Sequence, residues 1–306
     1  STTGFLSPFY SDPDGDRWLK ENGVIDLAGS GAVHTVGGCA GLVGSILLGP
    51  RIGFESGTLE GANEMLCSLG VYILVTGWFA FNFGSVAPLR GEYQHLVMAK
   101  VAVNSVVSMS AATCMGAFAS RIVLGYYRLG HVLNYSLAGM VSITAACSVV
   151  EPWGAFCIGV GGSLVCLGSS RLLKKLRVDD PLDCFPIHGA CGIWGLLAPG
   201  IFGSRRNIRL SYGLDNDAVE TGNQFRNQVL GTVIIVTWTV TLSGVLFGTM
   251  KTFGLLRVRE TDERRGLDVT KHGTPFRRGF AVLDFTWEQV KAIRAGLRRQ
   301  QGKSES

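Results

Sequence analysis

Two segments of this 306-residue chain carry the same sparse set of polar groups. Asp26 stands eight residues before His34, and the segment CAGLVG follows at Cys39 to Gly44; Asp180 stands eight residues before His188, and CGIWG follows at Cys191 to Gly195. In each, a carboxylate sits where an uncharged run begins and an imidazole lies about two helical turns inside it. The first N–H groups of a helix lack intrahelical partners, so Asp26 and Asp180 are suited to cap. Capping does not explain the histidines. An ionisable group within an apolar span is costly to keep and functional by default, although a lone histidine also serves as a hydrogen-bonded core residue. Here the repetition argues for function. A neutral imidazole offers one donor and one acceptor. Two such rings sharing a hydrogen bond form a polar stripe that can hold a small neutral amine or relay a proton. A dehydrated alkali cation would want a ring of oxygen ligands, which these runs do not offer.

A second group lies in Trp78-Phe79-Ala80-Phe81-Asn82-Phe83-Gly84-Ser85. Trp78 and Phe81 are three apart and Phe81 and Ser85 four apart, so a helix places all three on one face. Aromatic faces attract a cation by about 0.5 to 2 kcal/mol, and a serine oxygen accepts from a cationic N–H. Together they would recruit a cation and stop its hydrated form. The same spacing also fits an aromatic core stripe or an interfacial belt.

These groups need elements to hold them. Seven stretches lack Asp, Glu, Lys and Arg: Leu27 to Leu48, Leu66 to Pro88, Val101 to Ser120, Val132 to Val150, Pro152 to Ser170, Cys184 to Ser204 and Asn227 to Met250. Each has about the 17 to 25 residues with which a helix crosses a bilayer core. Charged residues form 17% of the chain, against roughly 25% in soluble globular proteins. The expected fold is an all-α polytopic membrane protein of about seven transmembrane helices; a water-soluble enzyme is not expected. The first and sixth runs are five crossings apart and so run in opposite directions. A motif repeated on oppositely directed helices marks an inverted repeat, whose path lies near the midplane. His34 and His188 are therefore expected to face each other.

Composition adds detail. The 42 glycines predict close helix packing, because in lipid small residues let backbones approach. The eight cysteines lie in or beside the apolar runs with no CxxC spacing and read as small buried side chains. With seven crossings, the side holding Ser1 carries 8 Lys and Arg and the other side 20, of which 13 follow Met250. The positive-inside rule then places the C-terminus in the cytoplasm and Ser1 outside, a choice that depends on the tail.

At these residues the sequence resembles the ammonium transporter family of Amt, Mep and Rh proteins, most closely its Amt branch. The motifs that carry the likeness are Asp26-Leu27-Ala28-Gly29-Ser30-Gly31-Ala32-Val33-His34, Gly77 to Ser85, Val178 to Gly189, and, in the tail, Gly266-Leu267-Asp268-Val269-Thr270-Lys271-His272-Gly273. The resemblance implies an eleven-helix bundle of two inverted five-helix repeats, of which this chain holds what resemble helices five to eleven. It implies that His34 and His188 are the pore histidines, Asp26 the carboxylate at the vestibule floor, Phe81 one of two gate rings and Ser85 the recruiting hydroxyl, with Trp78 in their motif. It implies ammonium, ammonia and a lipid bilayer as partners, a homotrimer, and multi-pass placement in the plasma membrane. The first four helices and the second gate ring have no counterpart here. Tyr10 and Trp18 are candidates for the vestibule tryptophan, and Leu27 stands where phenylalanine is usual. The chain is thus expected to be a portion of a longer transporter or a truncated, non-conducting subunit. Thr270 occupies a position resembling a phosphorylation switch in plant-type members.

The expected boundaries are an extracytoplasmic loop over 1–25, an incomplete transporter domain over 26–255 and a cytoplasmic tail over 256–306. In that tail Thr286 with Gln289 reads as a capping box before a short amphipathic helix. No catalytic residue, cofactor, metal site or nucleic-acid surface is read from the sequence. An ammonium sensor that binds but conducts little is one rival. A membrane redox protein with haem held between His34 and His188 is a remote one.

Overall fold

The computed structural model describes residues 23–56, 59, 63–86, 94–212 and 223–272. Tyr10, Trp18 and the capping box at Thr286 lie outside them. The described residues divide between two compact units, Ser1–Val258 and Arg259–Ser306. The first contains α1 (Ser30–Leu48), α2 (Glu64–Gly84), α3 (Gln94–Leu124), α4 (Leu129–Ile143), α5 (Pro152–Lys175), α6 (Phe185–Phe202), α7 (Arg205–Tyr212) and α8 (Gln224–Thr252). No strand occurs among the described residues; a lone bridge pairs Val150 with Gly203.

Local sequence explains several boundaries. Asn63 starts α2 by accepting from the Leu66 N–H at 3.0 Å. Pro152 occupies the first turn of α5, where its missing N–H costs nothing, and Lys174 and Lys175 close that helix against its negative end. Among the described residues, six helices are long and apolar enough to cross a membrane: α1, α2, α3, α5, α6 and α8. The fourth run departs from expectation. Its helix, α4, has 15 residues and stops at Ile143, and residues 144–150 continue as turns in place of helix.

That turn persists in apolar surroundings because its backbone groups are all but spoken for. Asn104 on α3 donates to the Cys147 and Val150 carbonyls at 2.8 and 2.9 Å. The Leu27 and Ala28 N–H groups donate to the Ala145 and Thr144 carbonyls at 3.3 and 3.2 Å. Ser30 accepts from the Ala145 N–H and donates to the Val141 carbonyl, each at 2.8 Å. Residues 23–29, which precede α1, are held from the other side by Gln228 of α8: its amide donates to the carbonyls of Ile25 and Leu196 at 2.7 and 2.5 Å and accepts from the Ile25 N–H at 2.8 Å. Two non-helical segments thus satisfy each other, and two buried amides lock them.

Glycine brings the helices close. A methyl group added at Gly139 of α4 would lie 2.8 Å from the Ser108 carbonyl of α3, and one at Gly159 of α5 would lie 2.2 Å from the same oxygen. Backbone-to-backbone approach of this kind supplies dispersion energy where no hydrophobic drive acts between helices.

At the end of the first unit that holds the C-terminus of α1, Arg51 makes a two-pronged pair with Asp179, at 2.7 and 2.9 Å, and also donates its backbone N–H. Arg257 donates to the Leu48 and Pro50 carbonyls, closing the exposed end of α1. The second unit contains α9 (Glu260–Arg265) and α10 (Leu267–His272), joined at Gly266, whose φ of 88° suits glycine. Within it Lys271 pairs with Asp262 at 3.0 Å and the Thr270 hydroxyl donates to the Gly266 carbonyl at 3.1 Å.

Candidate functional site

The two Asp-His segments fold alike. Each begins with a widened π-helical turn, Ser30–Thr35 in α1 and Phe185–Ala190 in α6, and each turn contains its histidine. Such turns are rare and cluster at functional positions. One oxygen of Asp26, Oδ2, accepts from the Gly31 and Ala32 N–H groups at 3.0 and 2.9 Å. The carboxylate of Asp180 accepts from the Cys184 and Phe185 N–H groups at 2.9 and 2.8 Å. Both aspartates therefore anchor the turn from which a histidine projects. Gly29, with φ 95°, gives the chain the reversal it needs at the start of α1.

The crossing between α1 and α6 repeats the same relation in both directions. Gly38, four residues after His34, lies on Gly189, one residue after His188: an added methyl would stand 2.0 Å from the Gly189 nitrogen. Gly192, four residues after His188, lies on Thr35, one residue after His34, with 2.7 Å to the threonine oxygen. This reciprocity is local two-fold symmetry written in side chains that are absent, and it brings the two histidines together.

His34 Nδ1 lies 3.2 Å from His188 Nδ1, a distance at which one ring donates and the other accepts. The rings are nearly parallel, 21° apart, with centroids at 5.3 Å. Trp78 stacks on His34 at 4.8 Å and 22°, and runs parallel to His188 at 6.4 Å. The indole N–H donates to the Thr144 hydroxyl at 3.2 Å, which fixes the plane of the stack. Phe81 is tilted toward His34, centroids 6.0 Å apart. Ser85 is one turn further on and donates to the Phe81 carbonyl at 2.9 Å. Although the spacing puts Trp78, Phe81 and Ser85 on one face, their settings differ: Trp78 is 7% exposed and Phe81 is 38% exposed.

Two buried atoms of the cluster have no hydrogen-bond partner among the described residues: Nε2 of His34 and the second oxygen, Oδ1, of Asp26. A buried polar atom left unsatisfied costs about 1 to 3 kcal/mol, so each marks a position where a polar guest gains a bond. No group of three His, Cys, Asp or Glu among the described residues is arranged to hold a metal ion. The direct contact of the imidazoles leaves no gap for a porphyrin between them. Thr144, Asn104 and Gln228 escape a reading by motif, and Ser30, although inside one, has no role that its motif assigns. Their signal is that each places a polar side chain inside or beside an apolar run, which is tolerated only with a partner.

The sequence pattern described as the Ammonium Transporter Family matches residues 14–275. Curated relatives include ammonium transporter 1 member 1 of Arabidopsis thaliana, 36% identical and aligned with 100% of this chain and 63% of its own length. Putative ammonium transporter 1 member 5 of the same plant is 37% identical over 92% of this chain and 59% of its own length. The chain thus spans less than two thirds of these relatives. Among solved structures, a protein named Sensor Amt Protein aligns with TM-score 0.74 and 30% identity over 85% of this chain and 63% of its own. Mep2 of Saccharomyces cerevisiae aligns with TM-score 0.71 and 26% identity over 80% of this chain and 56% of its own. A multi-pass helical chain whose sequence matches that family over most of its length belongs to the ammonium transporter family, on its Amt branch.

Proposed function

We propose that this chain takes part in moving ammonium across a membrane, with His34 and His188 forming the conducting stripe. The observation that carries this reading is the Nδ1 to Nδ1 contact of 3.2 Å between imidazoles supplied by two helices whose contacts, Gly31 on Leu196, Thr35 on Gly192 and Gly38 on Gly189, run in opposite directions. The aromatic faces of Trp78 and Phe81 attract a cation, and Ser85 offers it an oxygen. A bare ammonium ion is costly to pass through an apolar lumen, so it gives its proton to water on the exposed side of Phe81 and continues as ammonia. The imidazole edges then give and accept hydrogen bonds in place of water. Asp26 shapes the entrance by fixing the turn that presents His34.

The plasma membrane, a cytoplasmic C-terminus and a homotrimer belong to the same proposal, supported by the family and by the concentration of Lys and Arg after Met250. Thr270 is proposed as a phosphorylation switch: added charge beside Lys271 would compete for its pair with Asp262. Thr270→Asp should lower uptake, and unaltered uptake removes the switch.

The test is uptake of labelled methylammonium by cells that lack their own ammonium uptake and express the chain completed to the length of its relatives. His34→Ala with His188→Ala should abolish it, as should Asp26→Ala, while Asp26→Asn, which keeps one acceptor oxygen, should retain part. Uptake unchanged in the double histidine variant overturns the assignment. The likeness to a sensor supports a second reading, in which ammonium binds and little flows. Saturable binding of ammonium without flux would favour it.

A further inference from the structure

A cavity of about 160 Å³ lies away from the histidine pair, among the C-terminal end of α3, the N-terminal end of α4, the C-terminal end of α5 and the residue Asp183 before α6. Its wall is divided in character. Ala119, Val123 and Leu167 make one side apolar, while His131, Arg171 and Lys174 bring basic groups to the other. Arg171 and Lys174 are three apart on α5, so both point to the same side of that helix. Neither makes an ion pair with any described residue. Arg128 and Lys174 lie within electrostatic reach of His131.

One acid enters the cavity, Asp183. Its two oxygens are already used, accepting from Ser170 at 2.7 Å and from Asn134 at 3.2 Å. The carboxylate keeps its single negative charge, and against it Arg171 and Lys174 set two positive ones, so the lining stays net positive and suits an anion. The volume admits a phosphate group with a few attached atoms and is too small for a nucleotide. The apolar side continues onto Val123, which is exposed at the helix end, where an acyl chain would run.

We propose that this cavity takes a phosphate anion, and that its divided wall fits it to the headgroup of an anionic phospholipid. Basic pockets between helices at a membrane face hold such headgroups by charge while the apolar wall excludes water. The site is separate from the conducting stripe and does not depend on it. It ties the ends of α3, α4 and α5 together through one guest.

The purified full chain in neutral detergent tests this by native mass spectrometry with added phosphatidylglycerol, phosphatidylcholine or inorganic phosphate. Phosphatidylglycerol should bind in preference to phosphatidylcholine, and Arg171→Gln with Lys174→Gln should weaken it about thirtyfold. Lys175→Gln, on the same helix end but outside the cavity, should change affinity less than threefold. Arg171 and Lys174 are exposed, so the double variant is expected to fold; Lys174→Glu provides a second reading and should weaken binding as well. Inorganic phosphate that binds, loses affinity in the double variant and displaces no lipid would support the same anion site filled from solution. Wild-type affinity in both variants, or an equal loss in Lys175→Gln, overturns the proposal.

Discussion

Two adjacent glycines in α1 predict opposite outcomes for the same substitution. Gly38→Ala places a methyl 2.0 Å from the Gly189 nitrogen, 2.4 Å from its Cα and 2.7 Å from the His188 carbonyl carbon. All three are backbone atoms, so no side chain can swing aside. Carbon contacts settle at about 3.5 to 4 Å, which asks α1 and α6 to separate by about 1.5 Å. Overpacking costs about 1 to 3 kcal/mol and a backbone clash belongs at the upper end; replacing glycine by alanine in a helix returns about 1 kcal/mol. The net loss expected is about 2 kcal/mol. Gly37→Ala meets nothing within 4 Å and should keep the helix gain of about 0.5 to 1 kcal/mol. The two variants should therefore differ by about 3 kcal/mol. The assay is unfolding of the purified chain in mixed micelles of rising denaturant, followed by circular dichroism. Gly192→Ala, whose methyl would stand 2.7 Å from the Ser30 carbonyl, should fall with Gly38→Ala. If Gly38→Ala and Gly37→Ala unfold at the same midpoint, the reciprocal glycine contact is not what joins the helices.

Other consequences are open to the same measurement. Gln228→Leu strips partners from the Ile25 N–H and from the carbonyls of Ile25 and Leu196, and should cost about 2 to 4 kcal/mol, whereas a cost below 1 kcal/mol would mean that the segment before α1 holds itself. Thr144→Val removes the acceptor of the Trp78 indole N–H and should cost about 1 to 3 kcal/mol; no change would show that stacking alone orients Trp78. Asp179 lies between spans, and its bond to Arg51 holds its carboxyl below the usual carboxylate range. A depressed folded value means that the stabilisation is complete above the unfolded value of about 3.9 and is lost as pH falls below it. Arg51→Gln should flatten that acid limb, and an unchanged acid profile would count against the pair.

The sequence makes some of this legible and hides the rest for physical reasons. Absence of charge over some twenty residues is a strong sign of a span, and six of the seven runs are met by long helices. The fourth run shows the limit. Thr144 to Val150 carries no charge and reads as helix by hydropathy, yet its backbone bonds go to Asn104, Ser30 and residues 27 and 28. Hydropathy reports what a segment avoids, and it is silent on where its amides find partners. The eight-residue echo from Asp26 to His34 and from Asp180 to His188 is readable because capping fixes a carboxylate at a helix start. The π-helical turns that carry both histidines leave no such mark. A single widened turn in a glycine-rich run has no periodicity of its own, and the reciprocity of Gly38 with Gly189 and of Gly192 with Thr35 emerges only once the helices cross. Equally, Trp78 announces itself as an aromatic, while Thr144, which orients it, looks like any other residue of an apolar stretch.

The meeting of two Nδ1 atoms has a consequence for direction. When both rings are uncharged, one hydrogen atom occupies the space between them, and a ring that keeps it there must leave its far nitrogen bare. The other ring, having lent a lone pair, must carry its own hydrogen on the far side. The opposite edges of the pair are therefore unlike: one can only receive and the other can only give. A pair whose two supporting turns are built alike, once in each sense, thus acquires an arrow from the lightest atom it contains, and a single hop of that atom, with matching exchange at the edges, reverses it.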